Sequence, residues 1–231
     1  MSGSGALAGL GAVVIGPEGP FGALASAMLA RAGAVVRSAS LHQDDIPAAL
    51  DRANHGSTPL SLAVICAPEA MSCPDTPTAM DDPMAFAVAL PGWIAGVAAR
   101  IGGPGAIAVL AGPVGLGAWP GWVRAGAATA ACLNIVQAEA VALAPLGLRI
   151  NALVPGVTEA LAARIADQAK ARVADVRARI PTRQFMTDTA LEDALLFLLH
   201  PSSSFISGEV LPLDGGWNAW GRLDAVAAEA R

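Results

Sequence analysis

Ala12-Val13-Val14-Ile15-Gly16-Pro17-Glu18-Gly19-Pro20-Phe21-Gly22 carries a short β-type run straight into a glycine-rich turn. From Phe21 to Ala32 the composition turns helical: Leu24, Met28 and Leu29 fall at helical spacing, Arg31 stands in the last turn and Gly33 is the stop. Ala34-Val35-Val36 restarts a strand. The same alternation runs on, with helices near Ile46–Asn54, Pro83–Ile101 and Gly121–Ala144, and strand-like runs at Leu60–Cys66, Ala106–Leu110 and Leu148–Val154. A basic and acidic helix is predicted over Glu159–Arg179, another over Leu191–Leu199 after Thr189, and Glu209–Leu213 closes the sheet. Strands alternating with helices, without a break in composition, predict one α/β domain over residues 1–231, a doubly wound parallel sheet with helices on both faces.

Composition bounds the function. The chain has 14 basic and 19 acidic side chains, net charge -5, with 54% hydrophobic and 14% charged residues. That is too apolar for disorder, and its sign argues against nucleic-acid or anionic-membrane partners. Every run of 18 apolar residues is interrupted by Gly, Pro or a charge, and no basic residue precedes Arg31, so neither a membrane span nor a signal peptide is expected. Met1–Gly5 reads as a flexible end. Cys66, Cys73 and Cys132 lack a C-x-x-C spacing, and His42, His55 and His200 stand at no ligand spacing, so no metal is expected and a reducing cytoplasm is the simplest setting. The chain contains no tyrosine, and Lys170 is its only lysine.

Two stretches carry a resemblance. Leu143-Ala-Pro-Leu-Gly-Leu-Arg-Ile-Asn-Ala-Leu-Val-Pro-Gly156 and Ser204-Phe-Ile-Ser-Gly-Glu-Val-Leu-Pro-Leu-Asp-Gly-Gly-Trp217 closely resemble two signature segments of the short-chain dehydrogenase/reductase family. With the glycine turn, the likeness covers nearly the whole chain and implies a Rossmann-like fold. It also implies a register. Family members use a tyrosine to exchange a proton with the substrate oxygen, a lysine four residues later and a serine thirteen residues earlier. Counted back from Asn151, which the likeness places in the family's sixth strand, the tyrosine position holds Ala125, the lysine position Thr129 and the serine position Gly112. Ala89 stands where the family has a relay asparagine. Ala125 and Gly112 carry no side-chain proton, and the neutral hydroxyl of Thr129 cannot replace a lysine charge. Lys170 lies on a polar helix far from this register and reads as surface.

The cofactor elements are altered too. Gly16 and Gly22 keep the outer glycines of the family's turn, but Pro20 replaces the middle one, adding a ring and removing a donor where the pyrophosphate approaches the helix. Glu18 adds a carboxylate to the same turn, or points away as a solvated residue. Arg37-Ser38-Ala39-Ser40 lacks an acid for the ribose of NAD, leaving Arg37 as a candidate for a 2′-phosphate or as part of the strand's end. After the fourth strand of the family register, Ile65-Cys66-Ala67-Pro68 replaces an Asn-Asn-Ala-Gly stretch, and Ile65–Pro68 is expected to block the space over Gly16 and Gly22. Pro155 and Gly156, with Thr158 nearby, survive, and a Pro-Gly turn also serves chain reversal. No cofactor is expected; NAD or NADP remains the alternative.

The resemblance implies that the helices near Pro83–Ile101 and Gly121–Ala144, and the last strand with its tail, contact a neighbouring subunit. Ala125, Ala128, Ala131, Ala138 and Ala142 form a candidate small-residue contact, or pack on the chain's own sheet; Trp119, Trp122, Trp217 and Trp220 are candidate anchors. The expected function is a catalytically inactive subunit that assembles with an active short-chain dehydrogenase as a heterodimer or heterotetramer in an alcohol/hydroxyacyl dehydrogenase, with a homo-oligomer as the alternative assembly. The competing reading is an NAD(P)-dependent oxidoreductase of the same fold with altered chemistry, using His200, Asp214 or Cys132. His200 reads as a helix-end cap and Asp214-Gly215-Gly216 as a turn.

Overall fold

A computed structural model describes residues 5–16, 18, 21–40, 46–54, 56–68, 82–117, 119 and 121–219. Met1–Ser4, Pro17, Gly19, Pro20, His42, His55, Cys73 and Trp220, on which parts of the sequence reading rest, lie outside the described residues.

The expected parallel sheet is present. Its strands are β1 (Gly11–Ile15), β2 (Val35–Ala39), β3 (Leu60–Cys66), β4 (Gly105–Leu110), β5 (Leu148–Pro155) and β6 (Val210–Leu213). They form one six-stranded parallel sheet in the order β2-β1-β3-β4-β5-β6. Successive side chains enter opposite cores, as strand geometry requires: Val13 and Ile15 of β1 join Ile65, Ile107 and Ile150 on one face, while Ala12 and Val14 join Val64, Ala108 and Leu153 on the other. Both faces are therefore covered, and β1, β3, β4 and β5 are buried along nearly their whole length.

Helices α2 (Ile46–Ala53), α3 (Pro83–Ile101) and α4 (Val123–Leu143) cover the first face, and α1 (Gly22–Arg31) and α7 (Asp188–Leu199) the second. The packing of α2 on α3 rests on two glycines: a Cβ at Gly92 would stand 3.2 Å from the Ile46 Cδ1, and one at Gly96 would stand 2.6 Å from the Leu50 Cδ1. Arg100 then ties the pair by donating to the Asp51 carboxylate at 2.7 Å and to the Pro47 carbonyl at 2.8 Å. By length and apolar composition α3 and α4 could each cross a membrane; here each buries one face in the sheet's core, through Phe86, Leu90, Trp93 and Ile94 from α3 and Cys132, Leu133 and Val136 from α4.

Two details depart from expectation. The register of the resemblance makes Leu60–Cys66 a fourth strand, but it is the third among the described residues. Only twenty residues, Ser40 to Pro59, separate β2 from β3, too few for the roughly 30 residues of another βαβ unit. A doubly wound sheet in the order 3-2-1-4-5-6 covers its second strand with a third; here β2 is the edge. The predicted helix Glu159–Arg179 is also two helices, α5 (Glu159–Gln168) and α6 (Val173–Ala178). Lys170 takes a left-handed φ of 53°, and the Ala171 N–H donates to the Ala166 carbonyl at 2.8 Å, the closing bond of a Schellman motif.

Candidate functional site

The strand order reverses between β1 and β3, and in sheets of this kind ligands bind beyond the carboxyl ends of the strands at that point. Gly16 follows β1 in a left-handed conformation, φ 77°, and donates its N–H to the Ala39 carbonyl at 2.9 Å. Gly22 begins α1 and is buried. Glu18 does not point away: its Oε1 accepts the Ser40 hydroxyl at 2.9 Å, so its carboxylate reaches across from the β1 turn to the end of β2. The same charge, after burial as the larger cause, pushes the Cys66 thiol up. Arg37 turns to the other end of the sheet, where its guanidinium donates to the Thr58 carbonyl ahead of β3 at 2.8 Å; it is not placed for a 2′-phosphate. Ile65 and Ala67 enter one core of the sheet and Cys66 the other, so these three side chains form no lid over Gly16 and Gly22.

The register positions meet at the carboxyl end of β4. Gly112 precedes a 3-10 turn, Pro113–Leu116, which settles on α4. A Cβ at Gly115 would collide with the Thr129 side chain, and Thr129 is fully buried beneath it, its hydroxyl without a hydrogen-bond partner. One turn earlier Ala125, 1% exposed, sits in a third apolar cluster with Val114, Trp122, Val157, Leu161 and Ile180. The Trp122 indole donates to the Gln168 Oε1 at 2.6 Å, joining the start of α4 to the end of α5. Ala89 is half-buried and packs on the α3–α4 core.

Pro155 ends β5 and Gly156 follows it. A Cβ at Gly156 would collide with the Leu213 carbonyl, so the fold itself demands glycine there. Beside them the Trp119 and Trp217 rings stack with centroids 5.2 Å apart, and Trp122 meets Trp119 edge-on at 5.9 Å. Trp122 is buried, Trp119 and Trp217 are half-buried, and the three rings pack against one another. Ala125 and Ala128 face inward, leaving Ala138 and Ala142 exposed and Ala131 half-buried. Among the described residues a hollow is lined by Pro113, Trp119, Pro155, Gly156, Asp214 and Trp217, and its cavity volume of about 10 Å³ is far below the roughly 300–1,000 Å³ of small-molecule sites.

The retained signature residues have structural work. Arg149, half-buried and with its pKa lowered by that burial, donates to the Leu198 carbonyl at 3.0 Å and the His200 carbonyl at 3.4 Å, closing the end of α7. Asn151 accepts the Glu209 N–H at 2.9 Å and donates to the Ile206 carbonyl at 3.0 Å, fastening the chain that leads into β6. Asp214 accepts the Gly216 and Asn218 N–H groups, each at 2.9 Å, and organises the turn after β6. The His200 Nδ1 accepts the Ser202 N–H at 3.1 Å, so it caps the following turn. Cys132 is buried, and desolvation pushes its thiol up to about 12; an inert thiol is the consequence. Among the described residues no group of three or more His, Cys, Asp or Glu is placed to hold a metal. The tryptophan cluster is the feature that sequence reasoning missed. The proximity of Trp119 and Trp122 was its only local signal, because Trp217 arrives from the far end of the chain.

Residues 91–218 match the enoyl-(acyl carrier protein) reductase family model. The chain is 33% identical over 86 residues to an uncharacterised oxidoreductase, YmfI, of Bacillus subtilis, covering 37% of this chain and 34% of that protein. It is 32% identical over 118 residues to the 2-(R)-hydroxypropyl-CoM dehydrogenase of Xanthobacter autotrophicus, covering 51% and 47%. The matches thus span about a third to a half of these relatives' length. In fold it is similar to a crystal structure described as ribose-5-phosphate isomerase from Brucella melitensis, with a TM-score of 0.82 at 21% identity over 99% of this chain and 100% of that one. It is likewise similar to a 7α-hydroxysteroid dehydrogenase complexed with NADH and 7-oxo glycochenodeoxycholic acid, with a TM-score of 0.77 at 20% identity over 91% and 94%. The sheet, the signature segments that hold it together and a family match over more than half of the sequence lead to one assignment: the chain belongs to the short-chain dehydrogenase/reductase family.

Proposed function

We propose that this chain is a catalytically inactive member of its family that assembles with an active dehydrogenase of the same fold as the non-catalytic subunit of an alcohol/hydroxyacyl dehydrogenase. The observation that carries the reading is the state of the register positions. Ala125 is buried in the apolar cluster that includes Trp122, and Thr129 lies under the 3-10 turn at Gly115, so neither offers a proton or a charge to a reacting atom. The residues present fit a nicotinamide dinucleotide poorly. The Glu18 carboxylate stands at the crevice mouth, where phosphate would approach, and stacked tryptophans occupy the end of β5. Arg149, Asn151, Gly156 and Asp214 keep the scaffold in shape, which is what a subunit retained for assembly needs. Chemistry moved to Cys132, His200 or Asp214 finds no support: the thiol is inert, and the other two are committed to a cap and a turn.

Loss of acid-base help alone costs roughly a hundred- to ten-thousandfold in rate. The purified chain is therefore expected to show no turnover with a panel of alcohols and ketones and either nicotinamide cofactor. Co-expression with its active partner dehydrogenase of the same fold should yield one heteromeric species by size-exclusion chromatography and mass measurement. Robust turnover by a preparation free of other dehydrogenases would overturn the first half of the reading; a homo-oligomer indifferent to such partners would overturn the second.

A further inference from the structure

The charge of this acidic chain is unevenly placed. Arg164, Lys170, Arg172, Arg177, Arg179 and Arg183 stand within twenty residues, against Asp167 and Asp175 alone. All six cations are exposed. They lie on α5, α6 and the segment leading to α7, whose opposite side supplies Leu161, Ala162, Ala166, Val176 and Ile180 to the cluster around Trp122 and Ala125. A basic surface thus lies outside the apolar cluster that closes the carboxyl end of the sheet.

This charge is only partly compensated. Arg172 forms a two-pronged pair with Asp175 at 2.8 and 3.1 Å, and Lys170 stands 3.8 Å from Asp167 with both side chains more than four-fifths exposed. The Arg177 guanidinium lies 4.6 Å over the Phe185 ring, a stacking that leaves its fork open. The Arg179 charge acts on the Asp175 carboxylate, and the Arg183 guanidinium donates to the Ala178 carbonyl. Lys170 and Arg183 are also the two non-glycine residues with positive φ among the described residues, 53° and 57°. A conformation that favours glycine is held on each side of α6 by a long cation.

We propose that α6 and its flanks form a docking surface for an acidic protein segment, one that presents several Asp or Glu side chains on a single face. Arg177 and Arg179 carry the planar fork that pairs with carboxylates in a bidentate way, and the Arg177 fork also stacks on a ring. The basic stretch is short and the rest of the sequence is net acidic, so a polyanion longer than the patch would meet net negative charge beyond it. This surface is separate from the α3–α4 face and stands whether or not the chain is catalytic.

The test is fluorescence anisotropy with the full chain and a labelled helical peptide carrying four glutamates on one face. Its glutamine analogue and a single-stranded oligonucleotide of equal charge serve as controls. The acidic peptide should bind and the glutamine analogue should not. Affinity should fall at least tenfold between about 50 and 200 mM salt, as the shorter Debye length screens the contact. It should also fall at least tenfold in the double variant Arg177→Gln, Arg179→Gln. Circular dichroism melting of that variant, with the double variant Arg31→Gln, Arg52→Gln as a charge-matched control elsewhere, separates lost docking from lost fold. Absence of peptide binding at low salt, binding indifferent to a folded double variant, or tighter binding of the oligonucleotide overturns the proposal.

Discussion

Thr129 shows what one side chain loses when a site closes. Its hydroxyl is buried without a partner, while the Gly115 backbone presses on its methyl group. An unsatisfied hydroxyl costs about 1–3 kcal/mol, and valine keeps the shape without it. Thr129→Val should therefore stabilise the chain by about 1 kcal/mol in urea denaturation, and a loss of similar size would show that the hydroxyl is satisfied. The register placed Thr129 from sequence; its burial was illegible, because Gly115 closes on it from a separate turn. The cysteines supply a pH prediction at the same scale. Burial raises the folded thiol of Cys132 to about 12, above the ordinary value of about 8.5. The resulting contribution is complete below the unfolded value and is lost as pH rises through the folded one. Stability should thus fall between about pH 8.5 and 12, and Cys132→Ala should flatten that slope; an unchanged slope would show that the thiol ionises in place. Cys66 lies on the opposite face of the sheet, so the two cannot pair.

At the scale of elements, the strands were legible and the α5–α6 break was not. β1, β3, β4 and β5 announce themselves as apolar runs bounded by turns, because both faces of a parallel sheet are buried. Glu159–Arg179 contains neither Gly nor Pro, so nothing local marks its interruption. Tertiary demand decides it: Leu161 and Ala166 on one side of the break, and Val176 and Ile180 on the other, all enter the cluster around Trp122. Lys170 carries the cost, since a left-handed conformation is unfavourable by about 1–2 kcal/mol for an ordinary residue. Lys170→Gly should therefore stabilise the fold by about 0.5–1 kcal/mol, glycine's larger unfolded-state entropy offsetting part of the relief. Lys170→Ala separates charge from conformation, since alanine keeps the strain, and a gain equal to that of glycine would show that conformation is not the cause.

At the scale of the whole molecule, α3 and α4 present the surface on which assembly is most directly tested. They run side by side, tied at their starts by Arg124 and Asp82 at 2.9 Å. Each buries one face in the sheet and leaves apolar residues outward: Val88 is 79% exposed, Val123 73% and Val141 77%. From Met84 to Ala99 no residue of α3 carries a charge. The composition gave this apolarity but not its direction; only the fold divides it into an inward face held by Trp93 and Val136 and an outward one that stays exposed among the described residues. A specific interface there would bury more than roughly 1,000 Å² in total, and a charge at its centre would have to be desolvated without a partner. Val88→Asp with Val141→Asp should therefore dissociate the proposed assembly, seen as a drop in mass by light scattering after size-exclusion chromatography. Because both side chains are solvent-facing in the single chain, the melting temperature of the dissociated variant should stay within a few degrees of the parent chain's, as surface changes are usually within about 0.5 kcal/mol. An unchanged mass would move the contact elsewhere. A collapse in melting temperature with the loss of mass would show that the chain depends on its partner to remain folded, and the α3–α4 contact would then be part of its stability as well as its assembly.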